Sequence, residues 1–145
     1  MQEKLPTQVY SEIGELEGVI IHSPGKEVEN MTPQNAERAL YSDILNLSVA
    51  SKEYAQFKGV LEKITRTMEV KDLLTDILKN EKVKASLIDR ICEKENVWFL
   101  KNFMLDLEPV ELARQLLEGI VNTENTLTSF MSKERYSLRP LHNFF

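Results

Sequence analysis

The stretch "SEIGELEGVIIHSPGKEVENMTP", residues 11–33, decides how the rest of the chain is read. Its centre, Leu16 to His22, has the apolar density of a buried strand. Leu16, Gly18 and Ile20 would face one side, Val19 and Ile21 the other. Both faces are mostly apolar, so the strand is expected to lie between two layers. Ser23-Pro24-Gly25 ends it, because proline removes a backbone donor and glycine permits an unusual turn conformation. Thr32-Pro33 then opens a helix: threonine caps free amides, and proline sits where its missing N–H costs nothing.

Outward from there the chain is richer in helix. Ala36, Ala39, Leu40, Ile44 and Leu47 follow at helical spacing. A second helix is expected from about Ser51 to Lys63, with Tyr54, Phe57, Val60 and Leu61 on its buried face. Ile64 to Val70 is ambiguous; Ile64, Arg66, Met68 and Val70 alternate with Thr65, Thr67 and Glu69, a pattern compatible with a second strand. From Lys71 to Val121 four short amphipathic helices are expected. They are marked by Leu73, Leu74, Ile77 and Leu78, then Val83, Leu87, Ile88 and Ile91, then Trp98, Phe99, Phe103 and Met104. Glu108-Pro109 opens the last, with Leu112, Ala113, Leu116 and Leu117 buried and Gly119 near its end. Residues 122–129, rich in Thr, Asn and Ser, read as a loop, and Arg139-Pro140 makes residues 136–145 extended in character.

The chain has 145 residues, enough for one cored domain. Hydrophobic residues make up 42% and charged residues 28%, as in ordinary globular proteins. The net charge of −5, without a Lys/Arg stripe, argues against nucleic acid or an anionic membrane as partner. The N-terminus is too polar for a signal peptide and no apolar run reaches membrane length, so a cytoplasmic setting is expected. One cysteine, Cys92, excludes an internal disulfide and a multi-cysteine metal site. The two N-x-S/T sequons, at Asn30 and Asn46, then read as chance.

Chemistry-bearing residues are sparse. The glycines are scattered singly, which excludes a phosphate loop, and no metal-ligand spacing occurs. His22 and His142 have no cysteine or paired carboxylate near them in sequence, and each reads as structural or surface. Cys92 lies among acidic neighbours, whereas an activated thiolate needs a positive environment, so it reads as an inert, partly buried thiol. Trp98, Phe99 and Phe103 read as bundle core, and Glu93-Lys94-Glu95 as a solvated face. No complete catalytic set is visible.

Ser11-Glu12-Ile13-Gly14, then Leu16, Val19, His22, Pro24-Gly25, Glu27 and Thr32-Pro33, resembles the start of bacterial arginine deiminases. That family typically reads S-E-x-G-x-L-x-x-V-x-x-H-x-P-G-x-E, followed by L-T-P; Met31 stands here in place of the leucine. Ala39-Leu40-Tyr41-Ser42-Asp43 resembles its next block, with the first leucine and first acid changed. Arg139-Pro140-Leu141-His142-Asn143 resembles a P-L-P-N segment that runs into F-T-R-D, with His142 replacing the second proline.

The resemblance implies an α/β chain that is the incomplete N-terminal part of a five-bladed α/β propeller. Residues 1–70 would be partial propeller core, 71–133 an inserted helical bundle, and 134–145 the return to the core. It implies hydrolysis of L-arginine to L-citrulline and ammonia through a cysteine covalent intermediate, without metal or organic cofactor. Two positions match substrate contacts: Leu40, through its backbone, and Asn143, at the α-carboxylate. The nucleophile, the catalytic histidine and the guanidinium-binding acids would lie outside this chain, so the chain alone is expected to be inactive. L-Arginine is the expected partner of the complete enzyme, and homo-oligomerisation is left open. An incomplete propeller would expose apolar surface around Val19, Ile21 and the tail. An amidinotransferase of the same superfamily and a non-catalytic helical interaction module remain as alternatives.

Overall fold

Two short strands far apart in sequence pair in parallel. In the computed structural model, residues 8–29, 46–121 and 136–138 are described. β1 (Gly18–Ile21) and β2 (Arg66–Glu69) run side by side, from Gly18 opposite Arg66 to Ile21 opposite Glu69. The β-branched run Val19-Ile20-Ile21 suits an extended backbone. Thr65 Oγ1 donates to the carbonyl of Leu16 at 2.6 Å and ties the strand entrances together.

The strand is shorter than Leu16–His22 and is not buried on both faces. Ile21 is buried, but Ile20 is 59% exposed and Leu16 is exposed too. The expected exposure around Val19 and Ile21 therefore falls on Ile20 instead. Alternation explains the split: Ile21 and Ile20 point to opposite faces, and the described residues cover one of them.

A short helix, α1 (Lys26–Glu29), follows β1 and buries Val28. The helix expected after Thr32-Pro33 falls outside the described residues, except that Leu47 belongs to the next one. That helix, α2 (Leu47–Ile64), begins ahead of the expected Ser51. The Asn46 side chain caps it, accepting from Ser48 N at 3.0 Å and Val49 N at 3.3 Å. Asn46 is thus a helix cap, which the sequon reading overlooked. None of the α2 side chains is fully buried, and Phe57 and Val60, expected inside, are exposed.

The helical half has the expected order of helices, but Leu73, Ile77 and Val83, expected on buried faces, are exposed. α3 (Val70–Leu78), α4 (Glu81–Glu95), a 3-10 turn (Trp98–Leu100) continuing into α5 (Lys101–Asp106), and α6 (Pro109–Glu118) share one core. Its fully buried side chains include Leu78, Ile88, Cys92, Met104, Leu112 and Leu116. Asn80 caps α4, and Asn96 closes it in the left-handed region at φ 56°. Gly119 ends α6 at φ 86°, a conformation that favours glycine. β3 (Ile120–Val121) then pairs antiparallel with β4 (Tyr136–Leu138), whose Leu138 reaches into the helical core.

Two further details depart from expectation. Trp98, Phe99 and Phe103 are exposed rather than core; Met104, one position on, takes the buried place. Lys84, by contrast, is buried, and its Nζ donates to the carbonyls of Leu105 at 2.6 Å and Leu107 at 2.8 Å. Those carbonyls stand at the α5 C-terminus, where the helix supplies no donor of its own. Among the described residues no helix is long and apolar enough to cross a membrane.

Candidate functional site

Residues 22–25, which leave β1, form a turn held by side chains of α1, α2 and β2. His22 N donates to the Tyr54 hydroxyl on α2 at 2.9 Å. Ser23 N donates to Glu69 Oε2 at 3.1 Å, and Ser23 Oγ to Glu69 Oε1 at 2.6 Å. Pro24 has no donor to place. Gly25 N donates to Glu27 Oε1 at 2.7 Å, and His22 Nε2 lies 3.1 Å from the same oxygen. Lys58 Nζ, from α2, reaches Glu69 Oε1 at 2.8 Å.

The glycine in this turn is not there for a positive φ. Among the described glycines only Gly119 has one. A β-carbon on Gly25 would meet Glu27 Oε2 at 2.5 Å, so its absence makes room for the carboxylate that folds back over it. Proline, glycine and glutamate in "HSPGKE" are therefore parts of one arrangement: no donor at 24, no side chain at 25, an acceptor at 27.

A cleft of about 220 Å³ opens beside the turn, between it, the start of α3 and the end of α6. Lys71 and Asp72 line it from α3, Arg114 and Glu118 from α6. Arg114 is held between Glu111 and Glu118. Its guanidinium, together with Gln115, pulls the Glu111 carboxyl down to about 2. The hydrogen bond to Glu27 raises the His22 pKa above its usual value, against the opposing effect of burial, and nearby Glu69 adds to the rise. Burial works against ionisation of Glu27 and Glu69. Hydrogen bonds from His22 and Gly25, and from Lys58 and Ser23, outweigh it and lower both carboxyls.

This arrangement can hold a proton at His22 and fix a turn. It holds no assembled nucleophile, because the Ser23 hydroxyl donates to Glu69 and not to the imidazole. Cys92 is fully buried, and burial, helped by Asp89, pushes its thiol up; Lys101 opposes only in part. Cys92, expected to be partly buried, is fully buried. Among the described residues no group of three or more His, Cys, Asp or Glu side chains could hold a metal ion.

Leu40 and Asn143, the two expected substrate contacts, lie outside the described residues, as does His142. The structure gives His22 a partner that the sequence reading did not assign: Glu27 reaches back to it across the turn. That signal was present, since Glu27 belongs to the same short motif. Glu69 carried none, standing 46 positions from the serine it binds.

No family model matches the chain. Curated relatives do. It is 33% identical to an arginine deiminase of Streptococcus uberis over 132 residues, covering 86% of this chain and 32% of the relative. It is 31% identical to an arginine deiminase of Limosilactobacillus reuteri, over 82% of this chain and 31% of that one. It is 34% identical to an arginine deiminase of Oenococcus oeni, over 89% and 33% respectively. The chain thus spans about a third of the length of the curated relatives it matches. With identities of 31–34% over more than four-fifths of its length, the chain belongs to the arginine deiminase family.

Proposed function

We propose that the protein to which this chain contributes is an arginine deiminase, hydrolysing L-arginine to L-citrulline and ammonia. The likeness to arginine deiminases along most of the chain carries this reading. The chain's part in it is scaffold and pocket wall. Residues 1–70 supply the first portion of a five-bladed α/β propeller, 71–133 an inserted helical bundle, and 134–145 the return segment. The parallel β1–β2 pair supports this assignment: parallel strands are usually covered on both faces, and here Ile20 and the outer side of α2 are left for further layers.

The nucleophile is a cysteine outside this chain. The burial of Cys92, which also raises its thiol pKa, supports this reading. Leu40, through its backbone, and Asn143, at the α-carboxylate, contribute substrate contacts. The enzyme works in the cytoplasm, needs no cofactor, and engages neither nucleic acid nor membrane.

The test compares two proteins. The product of the full reading frame should release citrulline and ammonia from L-arginine in equal amounts, and residues 1–145 alone should release neither. Ornithine appearing with an amine acceptor, in place of ammonia, would assign an amidinotransferase instead. Citrulline made by residues 1–145 alone would overturn the division of labour.

A further inference from the structure

Glu27 is a carboxylate kept from water beside a group that changes charge near neutral pH. Its side chain is 8% exposed, that of His22 41%. His22 Nε2 and Gly25 N converge on the same oxygen, Oε1, at 3.1 and 2.7 Å. The other oxygen lies 2.5 Å from where a β-carbon of residue 25 would stand. Taking a carboxylate out of water is unfavourable unless a cation and donors replace the water. An amide and an imidazole do so here, and the imidazole is the one that titrates.

The other charged groups around the ring do not take its place. Lys58 of α2 is committed to Glu69 of β2, and Glu69 is a second negative charge acting on His22. Tyr54 of α2 uses its hydroxyl as acceptor for His22 N. In the cleft beside the turn, Arg114 of α6 is held by Glu111 and Glu118, and α3 contributes Asp72 together with Lys71. The cation acting on Glu27 is His22. The carboxylate also bears on α1. Val28 N donates to the Gly25 carbonyl at 3.1 Å, which ties that four-residue helix to the turn. Val28 is buried, and α1 packs against α2 and α6.

We propose that His22 and Glu27 form a pH-operated latch on the α1 wall of the cleft. With the imidazolium in place, the carboxylate stays folded over Gly25 and α1 is held against α6. The ring proton leaves to water from the exposed side of His22. A neutral Nε2–H can still donate, but it brings no charge, and Glu27 is left sequestered with Glu69 close to the same ring. The carboxylate then turns out to solvent, releasing Gly25 N and loosening the start of α1. The latch is closed at low pH and opens as pH rises through the raised pKa of His22. Glu27, whose own pKa is lowered, stays ionised throughout. The latch belongs to the described residues and does not rest on the arginine deiminase reading.

The test is an NMR titration of the protein expressed from its full reading frame, from about pH 6 to about pH 9. The Gly25 amide signal should move with the same midpoint as the His22 ring. Amide exchange, corrected for its intrinsic rise with pH, should show Gly25 and Val28 losing protection by about threefold, with Ile88 in the helical core unchanged. His22→Gln has no ring to titrate, and its Gly25 signal should not respond in this window. Should that variant fail to fold, Glu27→Gln serves instead. It keeps an oxygen for the Gly25 amide and needs no cation, so its Gly25 signal should also stay still. A Gly25 amide indifferent to the His22 titration would overturn the proposal. So would a pH response that survives His22→Gln, because another group would then drive it. Loss of protection at Gly25 without Val28 would overturn it as well, confining the change to the side chain. Equal loss at Ile88 would make the change a general opening of the fold, and the latch would fail.

Discussion

A β-carbon on Gly25 would stand 2.5 Å from Glu27 Oε2. The crowding atom is the far end of a flexible side chain, so the backbone can stay while the carboxylate moves. Gly25→Ala should therefore change stability by no more than about 1 kcal/mol. It should also return the His22 pKa toward its usual value, because the hydrogen bond that raises it is displaced. Proton NMR titration of the imidazole checks this; an unmoved His22 in a folded variant would count against the assigned network. The linkage has a definite sign. A raised folded pKa means the His22 contribution is fully present below the unfolded value of 6.5 and is lost as pH rises through the higher folded value. Glu27 has the opposite sign: its lowered pKa makes a contribution present above 4.5 and lost as pH falls through the folded value. The sequence exposed half of this site. "HSPGKE" held the histidine, the proline, the glycine and the glutamate within six positions, so local chemistry could be read there. Tyr54, Lys58 and Glu69 could not be found that way, because only the pairing of β1 with β2 brings them to the turn.

At the level of elements, agreement followed the period of the apolar residues. α3, α4 and α6 each bury part of the stripe their spacing predicts against a common core, Leu78, then Ile88 and Ile91, then Leu112, Ala113 and Leu116, while Leu73, Ile77 and Val83 are exposed. α2 has an equally clear stripe, yet its Phe57 and Val60 are exposed; periodicity shows which side is apolar, not what covers it. The aromatics at Trp98 and Phe99 misled for a different reason. The chain there makes a 3-10 turn before α5, and the change of pitch rotates them away from the face that Met104 occupies. Lys84 was invisible as a buried group because its partners are main-chain carbonyls, which no residue type announces. Lys84→Met preserves its apolar stem and removes the two donated bonds. Charge-assisted bonds of this kind stabilise by about 1.5–3 kcal/mol, so the variant should lose about 2 kcal/mol, read as a lower urea midpoint at unchanged slope. A loss under about 0.5 kcal/mol would show that water replaces the amine at the end of α5.

Across the whole molecule, contacts close over different lengths of chain. The helical half is joined at both ranges: the Lys84 bridge to Leu105 spans 21 positions, whereas α3 packs against α6 and Leu138 of β4 enters the same core. The strand pair closes over more chain than that bridge, with Ser23 and Glu69 46 positions apart and Leu16 and Thr65 49. Closing a longer loop costs more chain entropy before any contact forms, so local contacts tend to form first. The parallel pairing of β1 and β2 thus has a kinetic consequence. The α4–α5 pair, bridged by Lys84, should acquire protected amides early in refolding, and Val19 to Ile21 only afterwards; at equilibrium the strand amides should exchange through the lower-energy opening. Pulsed hydrogen exchange would show this order, and simultaneous protection of the helix pair and the strand would contradict it. The turn after β1 is then set only once chain from both sides of α2 has arrived.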